Sequence, residues 1–306
     1  MDDPKICADL LKEALDGKKN KEETVYNVIV NNNLSQRLKI AEEYFNAYNK
    51  ELYEDMKSKL SGNFKEAAIH LFLPPVRFYA KMLKKAFKGV SVDDALIFEV
   101  LTTFSVEDIE KIGIAYNNET KKDLNKDIEK AFSGPIYKDL VSLMTVKRRV
   151  GEIDKENCER LCDRLIEAGE ANWVNDEELF RDAFVVPSPE ELVTIFRYYY
   201  SKTQKSFFDV VEDKLSGKPK ILLKELLFNN LMPYELYAEK VYLAIKGLGT
   251  NTGLLNRVLV ERAEIDMPQI RDFYVQKYKK TIKDDIVGDT SGMYQKLCLY
   301  LAGVGK

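Results

Sequence analysis

A single histidine, His70, and four cysteines, Cys7, Cys158, Cys162 and Cys298, are all that this 306-residue chain offers in imidazole or thiol ligands. One histidine excludes a multi-histidine metal centre. A catalytic triad would have to be built on His70, which lies in the apolar-faced segment EAAIHLFL and reads as a packing residue. The cysteines form no CxxC pair and no zinc spacing. Cys158 and Cys162, four apart on an expected helix, read as two reduced thiols on one face. With 15 Gly and 9 Pro against 45% hydrophobic residues, the chain is not disordered and can bury a core. Positive charge is not in excess: 47 Lys and Arg against 50 Asp and Glu leave −3, so the global field expected of a nucleic-acid binder is absent. No apolar run approaches the ~18 residues of a spanning helix. The opening MDDPKICADLLKEALDGKK has no secretory core, and its second residue is Asp, not the glycine that myristoylation needs. These absences point to a reducing cytoplasm and to membrane contact that is peripheral. No nucleotide loop and no nucleophile–base pair is apparent, so neither an enzyme nor a small-molecule substrate is expected.

What the chain does have is helical periodicity. Apolar residues recur at i, i+3, i+4 and i+7 in most windows, as at Leu236, Val241, Ala244 and Ile245. A helix break falls around Ala263–Asp266, with Asp266 a candidate N-cap and Pro268 in the following first turn. Alternating strand patterns are nearly absent. The expectation is an all-α protein of many short helices.

Those helices repeat. Ser-Gly pairs stand at Ser61-Gly62, Ser133-Gly134, Ser216-Gly217 and Ser291-Gly292, spaced 72, 83 and 75 apart. The same offsets carry Gly89 onto Gly17, Tyr116 onto Tyr44, Leu124 onto Leu52, Tyr274 onto Tyr199 and Ile270 onto Ile195. Four units of about 70 residues account for this. The divisions are 1–73, 74–145, 146–230 and 231–306, with the extra length of the third unit in the polar segment KRRVGEIDKEN, 147–157. Each serine is expected to cap a helix, and its small neighbour to allow tight entry.

The fourth unit holds Ile245-Lys246-Gly247-Leu248-Gly249-Thr250 and, forty-odd residues on, Gly288-Asp289-Thr290-Ser291-Gly292. Glycines let a loop turn its carbonyls outward, and calcium takes 6–8 hard oxygen ligands, carbonyls and a carboxylate among them. This pairing, with VLVERAEIDMPQIRDFYVQKY between, resembles the endonexin-type calcium signature of the annexin family. The four-unit frame extends the resemblance over the whole chain, and the divergence of the other units is similar to the alpha-giardin branch. The resemblance implies four repeats of five helices, A to E, forming a slightly curved disc. It implies calcium as the cofactor, held by the carbonyls of Ile245, Gly247 and Gly249 and the carboxylate of Asp289. It also implies an acidic phospholipid membrane as partner, bridged through the ion, with the protein peripheral on the inner face of membranes. The alternative is a calcium-independent scaffold associated with the cytoskeleton, microtubules in particular.

The frame exposes what is degenerate. The acid position reads Lys59, Ala131, Lys214 and Asp289 through the four units, so only the fourth set is whole. A protonated lysine repels calcium. Lys59 and Lys214 are expected either to point into solvent or to hydrogen-bond the vacated loops and Glu22 and Glu177. The minor-site acids implied by the family fall on Glu22, Asp94 and Glu177, with Thr252 in the fourth unit, and a further loop site near 57–63 stays open. Trp173, Val90 and Leu248 stand at the same A–B loop position in the third, second and fourth units and are the lipid-contact candidates. The basic run TVKRRVGE, 145–152, reads as a solvated linker or as a contact for acidic lipid.

Overall fold

The computed structural model describes residues 3–89, 91–247 and 249–305. Among them are 20 α-helices and no strand. They fall into four sets of five. The first is α1 (Pro4–Leu15), α2 (Lys21–Asn31), α3 (Leu34–Tyr48), α4 (Leu52–Lys59) and α5 (Gly62–Ala68). The second is α6 (Pro75–Ala86), α7 (Asp94–Thr103), α8 (Val106–Thr120), α9 (Leu124–Ala131) and α10 (Gly134–Thr145). The third is α11 (Lys155–Ala168), α12 (Glu177–Phe180), α13 (Pro189–Thr203), α14 (Phe207–Lys214) and α15 (Gly217–Leu231). The fourth is α16 (Pro233–Ile245), α17 (Thr252–Arg262), α18 (Met267–Tyr278), α19 (Ile282–Asp289) and α20 (Gly292–Leu301). No described helix is long and apolar enough to cross a membrane.

The chain divides into two compact units. One holds residues 1–74 and 234–306; the other holds 75–233. In the first, α5 packs on α17 and α20 on α2; in the second, α15 packs on α7 and α10 on α12. Each contact joins the fifth helix of one set to the second helix of another. Each therefore brings loops of different sets side by side.

The repeat has local causes that composition alone conceals. Every third helix ends on a left-handed residue that is not glycine: Asn49 (φ 49°), Lys121 (59°), Gln204 (58°) and Lys279 (56°). Each returns its N–H to the carbonyl four residues back, closing the helix end. Three sets then pin the third helix to the fourth. Tyr44 donates to Asp55 and Tyr116 to Asp127, each at 2.6 Å, and Tyr274 donates to Asp285. Burial, reinforced by these carboxylate acceptors, pushes the phenols well above their ordinary pKa. The third set has Val210 where the aspartate would stand, and there Trp173 packs edge-on against Tyr199 and stacks on Phe207.

The Ser-Gly pairs mark helix starts, but not by the expected cap. None of Ser61, Ser133, Ser216 and Ser291 makes a side-chain cap hydrogen bond. Their backbones are extended, and the glycine that follows takes φ of +60 to +65°. The glycine is needed for that left-handed entry, which a β-carbon would strain. Asp266 likewise precedes α18 without capping it, because its carboxylate is held by Arg262.

The extra length of the third set does lie in the connection 146–154, and that connection is docked. Arg148 donates to the carbonyls of Phe184 (3.1 Å) and Pro187 (2.7 Å), at the end of the π-helical stretch Arg181–Val185 that continues α12. Burial lowers the Arg148 guanidinium to about 10. Arg149 pairs with Glu191 at 3.0 Å and Lys147 with Glu107. The basic run is thus tied down through Lys147, Arg148 and Arg149, while Val150 and the residues after it stay exposed to solvent.

Candidate functional site

The loop between α16 and α17 is shaped by its own backbone. Lys246 N–H closes α16 on Tyr242 O at 2.8 Å, and Asn251 N–H reaches back to Ala244 O at 2.7 Å. Asn251 then caps α17 by accepting from Leu254 N at 3.1 Å. Between these anchors Gly247 (φ +123°) and Gly249 (φ +93°) take conformations that strain any other residue, though a β-carbon at either would meet nothing within 4 Å. The glycines serve conformation, not close packing, and open space lies in front of them. Leu248 lies outside the described residues.

Asp289, the last residue of α19, is exposed and adjoins this loop. Thr250 Oγ1 lies 3.2 Å from both the carbonyl oxygen and Oδ2 of Asp289. Gln295 Nε2 steadies the same turn by donating to Val287 O (3.2 Å) and Thr290 O (2.5 Å). Tyr294 Oη, buried, donates to Asn256 Oδ1 at 2.6 Å and ties α20 to α17. A loop and an acid 39 residues apart are therefore held together by a threonine hydroxyl, a bond the sequence pattern did not single out. The donor set is oxygen throughout, which suits a hard cation. Among the described residues no group of three or more His, Cys, Asp or Glu side chains could hold a metal, so any ion here would rest largely on backbone oxygens.

The other three loops close differently. In the first set Gly17 keeps a left-handed φ of +89°, but Lys59 donates to Asp16 at 2.6 Å, and Lys12 joins the same carboxylate at 3.0 Å. These ammonium groups, Lys59 foremost, hold Asp16 down to about 2. Of the two expected dispositions, solvent or loop, Lys59 takes the loop, but its partner is Asp16 and not a loop carbonyl or Glu22. In the second set Asp93 N–H bonds Ala86 O at 3.1 Å, the counterpart of the Asn251 contact. Its acid position is Ala131, and Val90 lies outside the described residues.

In the third set the loop folds inward, and Trp173 is the clearest correction to the sequence reading. It is fully buried, donates through Nε1 to Leu165 O at 2.9 Å, and stacks on Phe207 with ring centroids 4.4 Å apart. A ring so enclosed cannot dip into lipid. The available signal was Val210, which stands where three repeats carry the tyrosine's aspartate partner and so marks the third set as different. Lys214 is exposed and has no hydrogen-bond or ion-pair partner among the described residues.

His70 and the two cysteines of α11 are internally occupied. His70 Nδ1 is 2.6 Å from Glu66 O. Cys158 and Cys162 are buried, and burial pushes both thiols up to about 11. At neutral pH they are protonated and unreactive.

The annexin family model matches residues 7–71, 78–143 and 237–301, and its three matches do not include the set that carries Trp173. Human annexin A7 is 33% identical over 297 residues, covering 97% of this chain; the chain spans 61% of that relative's length. Mouse annexin A3 is 33% identical over 301 residues, covering 98% of this chain and 93% of its own. The solved structure of annexin III superposes with a TM-score of 0.90 at 32% identity, covering 99% of this chain and 94% of the other. Structures of alpha-14 and alpha-1 giardin superpose at 0.80 and 0.77 with 16% and 20% identity, which shows a shared fold and does not set the branch. With matches to the first, second and fourth five-helix sets and relatives a third identical along nearly its whole length, the chain belongs to the annexin family.

Proposed function

We propose that this annexin binds acidic phospholipid membranes peripherally and through calcium, with one complete site in the fourth repeat. Calcium would be held by the carbonyls of Ile245, Gly247 and Gly249 and by the Asp289 carboxylate. The ion supplies the positive charge that a net-acidic protein lacks and leaves coordination positions for a lipid phosphate. The observation that carries this reading is the Thr250–Asp289 junction, which puts the acid beside a glycine loop with open space before it. The repeats are taken as 1–73, 74–145, 146–230 and 231–306, which separates the helix sets except that α15 runs on to Leu231. The protein acts by binding, not by catalysis, at the cytoplasmic face of membranes.

One observation favours the calcium-independent scaffold as a second reading: the Lys59–Asp16 pair closes the first loop without any ion. Co-sedimentation with acidic liposomes, with calcium or with chelator, separates the two, and polymerised tubulin serves as the cytoskeletal arm. Asp289→Asn keeps an acceptor for Thr250 while removing the charge. It should abolish most of the calcium-dependent binding. An unchanged calcium response would overturn the site. Because one ion gives one bridge where several would add avidity, half-maximal binding should need more calcium than in a relative with several complete sites.

A further inference from the structure

A cavity of about 380 Å³ lies beside the Asp289 junction, between the loops of the first and fourth repeats. Glu22, Ser61, Asn63, Thr252, Ser291 and Met293 line it, together with Thr250 and Asp289. Its wall carries two carboxylates and several hydroxyls, and no basic side chain. An anion therefore finds no charge partner there. Its two aromatic neighbours, Phe64 and Tyr294, are buried at 2% and 8% exposure, so no open aromatic cage exists for a quaternary ammonium. Hydroxyl and carboxylate oxygens accept hydrogen bonds, which suits a cation bearing N–H donors.

The other compact unit shows what belongs opposite Glu22. The 72-residue offset between the first two Ser-Gly pairs places Asp94 where Glu22 stands, and the 75-residue offset between the last two places Lys218 where Met293 stands. Asp94 is paired with Lys218. Glu177, the corresponding acid of the third repeat, is paired with Lys138 at 3.1 Å. Glu22 has no hydrogen-bond or ion-pair partner among the described residues, and Met293, facing the same cavity, cannot supply one. The cavity thus occupies the place of a lysine ammonium that the second unit carries within its own chain.

We propose that this cavity is a binding site for a primary ammonium group, paired with Glu22 in the way that Lys218 pairs with Asp94. Two sources share that chemistry: the amine of a phospholipid headgroup and a small soluble amine. The lipid source rests on the calcium reading above, because Thr250 and Asp289 border both sites and a headgroup whose phosphate meets calcium would present its amine to Glu22.

The test compares vesicles of phosphatidylglycerol and phosphatidylcholine with vesicles in which phosphatidylethanolamine replaces phosphatidylcholine mole for mole, at fixed calcium. Each variant is read as the ratio of its own two affinities. For the wild type, ethanolamine vesicles should bind about two- to fivefold more tightly, the range of a partly exposed ion pair. Glu22→Gln should bring that ratio to one. Met293→Lys should do the same by installing the internal ammonium of the other unit. Calorimetry with O-phosphoethanolamine, without membranes, separates the sources. Binding that Met293→Lys abolishes adds soluble amines to the site, and no binding beside a lipid ratio above one restricts it to headgroups. Calcium-dependent binding of the wild type to choline vesicles checks the calcium reading on its own. The ammonium site is overturned if neither ethanolamine vesicles nor O-phosphoethanolamine show binding that depends on Glu22.

Discussion

Asp139 occupies the fifth position after Gly134 in α10, where the other repeats carry Ala67, Leu222 and Leu297, all fully buried. Asp139 is as buried as they are, and neither of its carboxylate oxygens has a hydrogen-bond partner. Burial, reinforced by the charges of Glu177 and Asp176, pushes its pKa from 3.8 up to about 8. The unfolded chain releases this proton near pH 4, while the folded chain keeps it until about pH 8. Folding is therefore least penalised below pH 4 and loses about 1.4 kcal/mol for each pH unit above it, levelling off once both states are ionised. Between pH 5 and pH 8 that amounts to about 4 kcal/mol. Asp139→Asn keeps the shape and cannot ionise, so its stability should exceed that of the wild type by a margin that grows by this amount over the interval. Trp173, the only tryptophan, is buried in the same compact unit and reports its unfolding. Urea denaturation followed by its fluorescence at several pH values gives the two curves. Asp139→Leu, which restores the residue of Leu222 and Leu297, should flatten the pH dependence in the same way. Parallel pH curves for wild type and Asp139→Asn would refute the reasoning, because no other group differs between them.

Two further outcomes follow from where side chains point. Trp173 fluorescence should be unaffected by brominated lipid in bound vesicles, since the ring is enclosed by Phe207, Tyr199 and Phe184; strong quenching would mean that the third loop opens on the membrane. Lys59 is engaged with Asp16 and Lys214 is unpaired, so Lys214→Glu should lower salt-sensitive liposome binding in chelator more than Lys59→Glu does; the reverse order, or no effect of either, counts against any role for Lys214 at the lipid surface.

The helical class, the four-fold period and the loop glycines were legible in the sequence because each is written in residues close together along the chain. Helix starts could be placed, but their mechanism could not. The Ser-Gly pair looks like a serine cap and works as a left-handed glycine, a difference of backbone angle that composition does not carry. The Tyr–Asp pins lay within reach, at a constant 11-residue spacing in three repeats, and Val210 in the third marked where the architecture changes. The docking of the basic run at 145–152 was not legible, because its partners Glu107, Phe184, Pro187 and Glu191 come from elsewhere in the chain.

By itself the sequence determined the helices, their repetition and the one loop whose glycines and acid survive together. Helical periodicity and left-handed turns are decided by neighbours a few residues apart. Tertiary structure alone decided which charges are already spent. Lys59 reaches Asp16 across 43 positions and Lys218 reaches Asp94 across 124, while Glu22 and Met293 share a cavity across most of the chain. An ion pair depends on a few ångströms between side chains. Packing within a repeat brings Lys59 to Asp16, and packing of one repeat's fifth helix against another repeat's second helix brings Lys218 to Asp94 and leaves Glu22 facing open space.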